Sequence, residues 1–173
     1  EETTPNGGTK IKLAVAAASK SFVDTQLRMF ESAGISIVSF DTESQAIARA
    51  VVPEGDDRPH LIINLAKSKA SFYIVEKGIV QFSSTLNHAD GAPDSSQQVL
   101  AAGGLRQVSE VKNKMAEVIS FWPVKVQKVL LCGFWSHKNE VVQALMDQSN
   151  IEFASAHPET ADCAAAIGAA LSH

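Results

Sequence analysis

The stretch of sequence that decides the fold is residues 61–75, LIINLAKSKASFYIV. Two apolar runs rich in β-branched and aromatic residues flank a short polar segment, and this pattern predicts a strand, a tight turn and a second strand. A third apolar run follows Glu76-Lys77-Gly78, where the glycine favours a hairpin turn. The sequence therefore predicts three successive strands at 60–66, 69–76 and 79–85.

Helical patterns lie on both sides of these strands. Ser21 and Asp24 resemble a capping box that starts one helix, and Gly34 ends it. Asp41-Thr42 caps a second, short helix that reaches Val51. Further along, Gly103-Gly104 separates a short helix from a longer amphipathic one. The other predicted helices are one around 141–146 and an alanine-rich one at 160–171.

Four more apolar runs have the length of strands: 11–17, 35–40, 128–133 and 151–154. With the central three they give the order β-α-β-α-β-β-β-α-β-α-β-α. Helices alternate with strands around one hairpin. This order predicts a mixed α/β sheet with helices on its faces.

The composition fits one globular domain. The chain has 173 residues, of which 45% are hydrophobic and 20% charged, and its net charge is −4. No dense cluster of lysine and arginine is present, which argues against nucleic acid and anionic membrane as direct partners. No apolar run reaches the roughly 18 residues that span a bilayer, and the polar N-terminal segment is unlike a signal peptide. These features predict a cytoplasmic chain without direct membrane insertion.

Cysteine and histidine residues give no sign of a metal site. Cys132 and Cys163 lie in apolar surroundings and are expected to be buried thiols. The five histidines are scattered without the spacing of metal ligands. The sequence therefore predicts no metal ligand and no catalytic nucleophile among these residue types.

Four segments in this order resemble the type IV pilus assembly protein PilM family of the actin-like ATPase superfamily, with the division protein FtsA as a more distant relative. They are residues 12–41, residues 41–50, the turn and hairpin that begin at residue 61, and residues 129–136 with the helix, strand and alanine-rich end that follow. Together they cover most of residues 11–171. The resemblance implies an actin-like ATPase (ribonuclease H-like) mixed sheet with flanking helices, truncated relative to the full family. It implies a single actin-like α/β domain over 11–173, with 11–40 as a remnant of the small inserted subdomain. The polar residues before it, which include proline and glycine, predict a disordered lead-in over 1–10.

The resemblance also shows which residues have changed. In actin-like ATPases the turn within 61–75 carries Asp-x-Gly-x-x-x-Thr and holds nucleotide phosphate and metal. Here Asn64, Ala66 and Ala70 stand at the aspartate, glycine and threonine positions. Asparagine carries no charge for Mg²⁺, and Ala66 adds a methyl group where phosphate would lie. The resemblance therefore implies a kept scaffold with degenerate chemistry.

A few residues remain as candidates for a nucleotide pocket. Glu43 matches a family carboxylate that faces the nucleotide cleft, and it fits equally well as a first-turn glutamate that favours the helix dipole. Lys67 and Lys69 either attract an anion or are solvated surface residues. Gly133 is the glycine left at the family's adenosine turn. The candidate cofactor-binding set is Glu43, Asn64, Ala66, Lys67 and Gly133.

The resemblance implies a function without catalysis. We expect a scaffold component of a type IV pilus or type II secretion-like inner-membrane assembly platform, recruited from the cytoplasm to the inner face of the membrane. The expected partner is the cytosolic tail of an inner-membrane assembly protein, self-association is compatible with the fold, and no cofactor is expected. Two alternatives stay open: an actin-like protein that binds Mg-ATP in an unorthodox pocket, and an unrelated α/β enzyme.

Overall fold

The computed structural model describes residues 2–3, 9–10, 15–66, 68–87, 97–123, 125–133, 142–143, 145–146 and 151–155. The chain divides into two compact units, Glu1–Thr42 and Glu43–His173. The boundary lies close to residue 40, where the predicted remnant of the small inserted subdomain ends. The single-domain organisation stays a prediction.

The first unit begins with a short strand pair. Strand β1 (Glu2–Thr3) runs antiparallel to β2 (Thr9–Lys10), with Thr3 opposite Thr9. The sequence predicts a disordered lead-in here, whereas these four residues are paired.

Helix α1 (Lys20–Ser32) forms near the predicted position. Its N-cap is Ser19, whose Oγ accepts a hydrogen bond from the Phe22 N–H at 3.3 Å, and not the predicted Ser21. Gly34 ends the helix as predicted, with φ at 73° and its N–H donating to the Glu31 carbonyl.

The two strands predicted beside α1 are not found in the described residues. Residues 35–40 and 15–17 form no strand, and 11–14 lie outside the described residues. An apolar run becomes a strand only where a neighbouring strand pairs with its backbone. Sequence pattern alone therefore overestimated strand content in this unit.

The second unit contains a five-stranded mixed sheet. Its strands are β3 (His60–Leu65), β4 (Lys69–Glu76), β5 (Ile79–Asn87), β6 (Lys128–Cys132) and β7 (Glu152–Ser155). The spatial order is β5-β4-β3-β6-β7, in which β3, β4 and β5 pair antiparallel while β6 is parallel to both β3 and β7. The five strands predicted within this unit are confirmed, with small differences at their ends.

The turn between β4 and β5 is of the hairpin type that the sequence predicts. Lys77 and Gly78 both have positive φ, 52° and 71°. Two successive residues with positive φ match the right-handed twist of the flanking strands. The Gln45 side chain clamps this turn to α2, because its Nε2 donates to the Gly78 carbonyl at 2.8 Å and its Oε1 accepts from the Val80 N–H at 3.2 Å.

The helices of this unit confirm two predictions and overturn one. Helix α2 (Glu43–Val51) begins after Asp41-Thr42 as predicted. Helix α3 (Gln97–Phe121) contains the predicted longer helix, but it runs unbroken through Gly103-Gly104. Glycine costs a helix about 1 kcal/mol yet keeps its N–H donor, so two glycines weaken a long helix without ending it.

The remaining predicted helices are described only in part. Val142, Gln143, Leu145 and Met146 are helical, in agreement with the prediction. The alanine-rich helix predicted at 160–171 lies outside the described residues. No described helix is both long and apolar enough to cross a membrane.

Each face of the sheet packs against a different helix. The α3 face forms the larger cluster, with Phe72, Ile74 and Leu131 among its fully buried members. The α2 face is smaller and is apolar only at its centre, where Ile62 and Leu130 meet Ile47. Each fully buried side chain of this size stabilises the fold by about 1.5–3 kcal/mol. Polar groups therefore occupy both ends of the α2 face.

Candidate functional site

The first polar end lies where β3 and β6 finish. Because the two strands are parallel, their carboxyl ends meet at one edge, with Asn64 opposite Cys132. In open α/β sheets, ligands bind beyond the carboxyl ends of the strands. This edge, which we call the carboxyl edge, is therefore the candidate site. It contains Glu43, Asn64, Ala66, Lys69, Cys132 and Gly133.

Asn64 and Gly133 are in direct contact. Gly133 is buried and has φ at 86°, and a Cβ atom there would overlap the Leu65 carbonyl oxygen and the Asn64 Oδ1. The Cys132 thiol lies 3.7 Å from the same Oδ1 and donates to it. The structure thus brings together two predicted site residues, Asn64 and Gly133, that are far apart in the sequence.

Backbone groups of the β3–β4 turn are hydrogen-bonded to each other. The Ala66 N–H donates to the Lys69 carbonyl at 2.9 Å, which closes the hairpin. Ala70, at the family's threonine position, is fully buried in the α3-face cluster. The methyl group of Ala70 therefore points away from the α2 face. Lys67 lies outside the described residues.

Glu43 forms an ion pair across this edge. Its Oε2 lies 3.1 Å from the Lys69 Nζ, and the two side chains are 48% and 38% exposed. The carboxylate stands in the first turn of α2, where the helix dipole also favours it. This position is compatible with both interpretations of Glu43 from the sequence, as a pocket residue and as a first-turn glutamate.

The buried Ser71 hydroxyl lies on strand β4, two residues after Lys69. The Ser71 Oγ is 3.3 Å from the Thr85 Oγ1, and Ser71 is only 1% exposed. Burial raises the pKa of Tyr73, a hydrogen bond from Ser71 partly offsets the rise, and the charge of Glu43 adds to it. Tyr73 is therefore a neutral hydrogen-bonding group at physiological pH.

Sequence reasoning missed several members of this edge. Ser71, Tyr73 and Cys132 carry no motif, and Lys69 was recognised only as an anion-attracting surface residue. The available signal was the period of two along β4, which puts Ser71 and Tyr73 on one face. The parallel pairing that adds Cys132 has no local signature.

The second polar end lies at the amino ends of the same strands. Asp56 and Arg58 precede β3, and Lys128 and Glu152 begin β6 and β7. Arg58 holds Asp56 with two side-chain hydrogen bonds of 2.8 and 2.6 Å. Glu152 joins the network through Lys128 at 2.9 Å and Arg58 at 3.9 Å. We call these four residues and His60 the amino-edge network.

His60 is the buried centre of this network. Its side chain is completely buried, and Nδ1 lies 2.6 Å from the Arg58 carbonyl oxygen, so Nδ1 donates there. Nε2 lies 3.3 Å from the Asp56 Oδ2. A histidine in this position ties the loop before β3 to the strand itself.

The charges of the network depress two carboxyl pKa values. The hydrogen bond from Arg58 holds the pKa of Asp56 well below its usual range. The hydrogen bond and charge of Lys128 lower the pKa of Glu152. Asp56 in turn raises the pKa of Arg58. These shifts mark mutual stabilisation of opposite charges.

A cavity of about 520 Å³ lies beside the network. It is bounded by the end of α2, residues 53–57 and the Lys77-Gly78 turn. Its lining mixes Arg49 and Lys77 with Glu54, so its charge selects no single class of ligand. Among the described residues, no group of three or more histidine, cysteine or acidic side chains is arranged to hold a metal ion.

Neither a protein-family model nor a curated protein sequence matches the chain. Solved structures do. A structure of the PilM-PilN type IV pilus biogenesis complex is 17% identical with a TM-score of 0.64, over 86% of this chain and 56% of that one. MreB5 of Spiroplasma citri bound to ADP is 10% identical with a TM-score of 0.64, over 90% and 66%.

A third neighbour is the ethanolamine utilization protein EutJ from Carboxydothermus hydrogenoformans. It is 15% identical with a TM-score of 0.59, over 82% of this chain and 59% of that one. The chain thus spans between 56% and 66% of the lengths of these three neighbours. At such identities the likeness establishes the fold. The predicted actin-like ATPase fold is confirmed.

Proposed function

We propose that this chain is a non-catalytic actin-like scaffold that binds a partner protein. One observation carries the proposal: the described groups at the carboxyl edge are uncharged or paired within the chain. Asn64 contacts Gly133 and Cys132, and Glu43 is paired with Lys69. Such an edge is better suited to contact with a partner protein than to catalysis.

Phosphoryl transfer needs the opposite arrangement. It uses carboxylates to hold Mg²⁺ and open backbone N–H groups to approach phosphate. Asn64 supplies no charge, and the Ala66 N–H already donates to Lys69. Binding Mg²⁺ through Glu43 would first require breaking its pair with Lys69. These features favour a scaffold over an ATPase.

The finer assignment is an assembly platform of the type IV pilus or type II secretion kind. One structural neighbour is a PilM-PilN complex, which is an actin-like protein together with a partner. By analogy, the partner of this chain is the cytosolic tail of an inner-membrane assembly protein. Such a partner would recruit the chain to the inner face of the membrane.

The second candidate function is Mg-ATP binding in an unorthodox pocket. Its support is that Glu43, Asn64 and Lys69 share one edge with Gly133, although Glu43 and Gly133 are far from the β3–β4 turn in the sequence. One neighbour, MreB5, is bound to ADP. In this alternative Lys69 exchanges Glu43 for a phosphate group, as lysines in phosphate sites commonly do.

Calorimetric titration of Mg-ATP into the folded chain separates the two functions. The scaffold proposal expects no binding heat at millimolar nucleotide. The double variant Asn64→Asp/Ala66→Gly restores the family residues and tests whether the edge is otherwise intact. Asn113→Asp, an exposed change on α3, is the matched control for added charge. Clear binding by the unaltered chain, abolished in Lys69→Ala, would overturn the scaffold proposal.

Partner binding has its own measurement. Fluorescence anisotropy with a labelled synthetic peptide of the cytosolic tail should show saturable binding that is independent of nucleotide. A scrambled peptide of the same composition is the control, because it keeps the charge and loses the order. Equal affinity for both peptides would refute specific recognition of the tail.

A further inference from the structure

Strand β5 is an edge of the sheet with an unusual composition. It pairs with β4 on one side, and no described strand pairs with its other side. Its sequence, IVQFSSTLN, contains neither a charged residue nor a proline. Natural edge strands usually carry such residues because these block pairing with another chain. Within the described residues, β5 lacks that protection.

A bulge defines the regular part of this edge. The register against β4 shifts between Ile74 and Val75, which lie opposite Phe82 and Val80. Gln81 is therefore the extra residue, and bulges bend and twist a strand locally. The six residues from Phe82 to Asn87 continue without a register shift. They form the straight segment that another strand can join.

This segment is complementary to itself. An antiparallel pairing of two copies about Ser84 places Phe82 opposite Leu86 of the second copy, on the α3 face. The same register places Ser83 opposite Thr85 of the second copy, on the other face. Aromatic–aliphatic pairs and hydroxyl pairs each stabilise opposed strands, and no like charges meet. We propose that two copies of this chain associate by antiparallel pairing of β5 about Ser84.

An exposed aromatic ring lies beside the proposed β5–β5 interface between the two copies, which we call the joint. The Phe121 ring is 6.1 Å from the Phe82 ring, between centroids, and Phe121 is 74% exposed. Trp122 stands 6.2 Å from Phe82 on the same side. A second copy at the β5 edge would remove apolar surface of Phe121 from water, which adds to the pairing energy.

The size of the joint sets its strength. Six residues of strand span about 20 Å, and stable interfaces bury about 800 Å² per partner. A joint of one short strand and one aromatic patch is smaller than that. The dimer is therefore weak, and its population rises with concentration. This self-association goes beyond the proposed scaffold function and does not depend on it.

Sedimentation velocity of the purified chain over a wide concentration range tests the proposal. Ser83 and Thr85 are exposed, so charges are tolerated there. Ser83→Lys/Thr85→Lys places lysine opposite lysine across the joint and should weaken the dimer about tenfold or more. Ser83→Lys/Thr85→Glu places lysine opposite glutamate and should strengthen it. Asn113→Lys, exposed on α3, should leave it unchanged.

Comparing the two double variants distinguishes an effect on the dimer interface from an effect on folding. Both double variants lose the same Ser71–Thr85 contact, so circular dichroism should find them equally folded. An opposite change in dimer strength then reports only on the residues across the joint. A monomer at every concentration, or a dimer that both double variants weaken alike, would overturn the proposal.

Discussion

The two ends of the α2-covered face hold their polar groups by different physical means. At the carboxyl edge, neutral groups leave no room for a side chain at Gly133, and the Glu43–Lys69 ion pair is surface-exposed. In the amino-edge network, four charged residues surround a buried histidine. One end therefore depends on shape and the other on charge. Substitutions and pH should affect the two ends unequally.

The largest expected effect is at the glycine of the carboxyl edge. Gly133→Ala forces a Cβ into the Leu65 backbone at a positive φ, so we expect a loss of about 3–5 kcal/mol in free energy of unfolding. Gly78→Ala is the matched control, because φ there is also positive but no atom lies within 4 Å. The control should lose about 1–2 kcal/mol. Urea denaturation measures both, and equal losses would contradict the close packing.

The next effect compares the two polar side chains at the opposite ends of β3. His60→Ala removes a completely buried ring and leaves the Arg58 carbonyl without its donor. We expect a loss of about 2–4 kcal/mol in free energy of unfolding. Asn64→Ala, at the half-buried end, should lose about 1 kcal/mol, because its thiol contact is weak. A larger loss for Asn64→Ala would reverse the proposed difference between the ends.

Acid should destabilise the protein through the amino-edge network. Asp56 and Glu152 have lower pKa values in the fold than their ordinary 3.8 and 4.5. Their contribution is therefore complete above those ordinary values and is lost as the pH falls through the folded ones. Urea midpoints measured from pH 6 to pH 2 should decline below about pH 5.

The matched variants locate the source of this decline. Asp56→Asn should flatten the fall in urea midpoint, because one of the two titrating groups is gone. Asn113→Ala, an exposed change on α3 that removes no carboxyl group, should leave the slope unchanged. An acid slope that survives in the Asp56→Asn/Glu152→Gln double variant would show that other carboxyl groups control acid stability.

The smallest effect concerns the exposed ion pair. Lys69→Ala should change the free energy of unfolding by less than about 1 kcal/mol, since both partners are well exposed. Thermal unfolding at low and high salt checks this, and the difference from the unaltered chain should shrink at high salt. A larger, salt-insensitive loss would show that the pair supports the β3–β4 turn.

Local sequence signals predicted much of the second unit. Residues 61–75 contain two apolar runs rich in β-branched and aromatic residues, and Lys77-Gly78 is a turn with positive φ at both positions. The same kind of reasoning failed at 35–40 and at Gly103-Gly104. In both cases the local preference was weak and the surroundings decided the outcome. No strand of the described residues pairs with 35–40, and Gly103-Gly104 lies inside the long helix α3.

The sequence by itself determined the secondary structure around the site and the loss of charge at Asn64, because both depend on residue type and near neighbours. Only the tertiary structure decided that Asn64 meets Gly133 and that Glu43 meets Lys69. These contacts arise from parallel pairing of β3 with β6 and from the packing of α2. Pairing of distant strands depends on burying both sheet faces at once, and no local pattern specifies that.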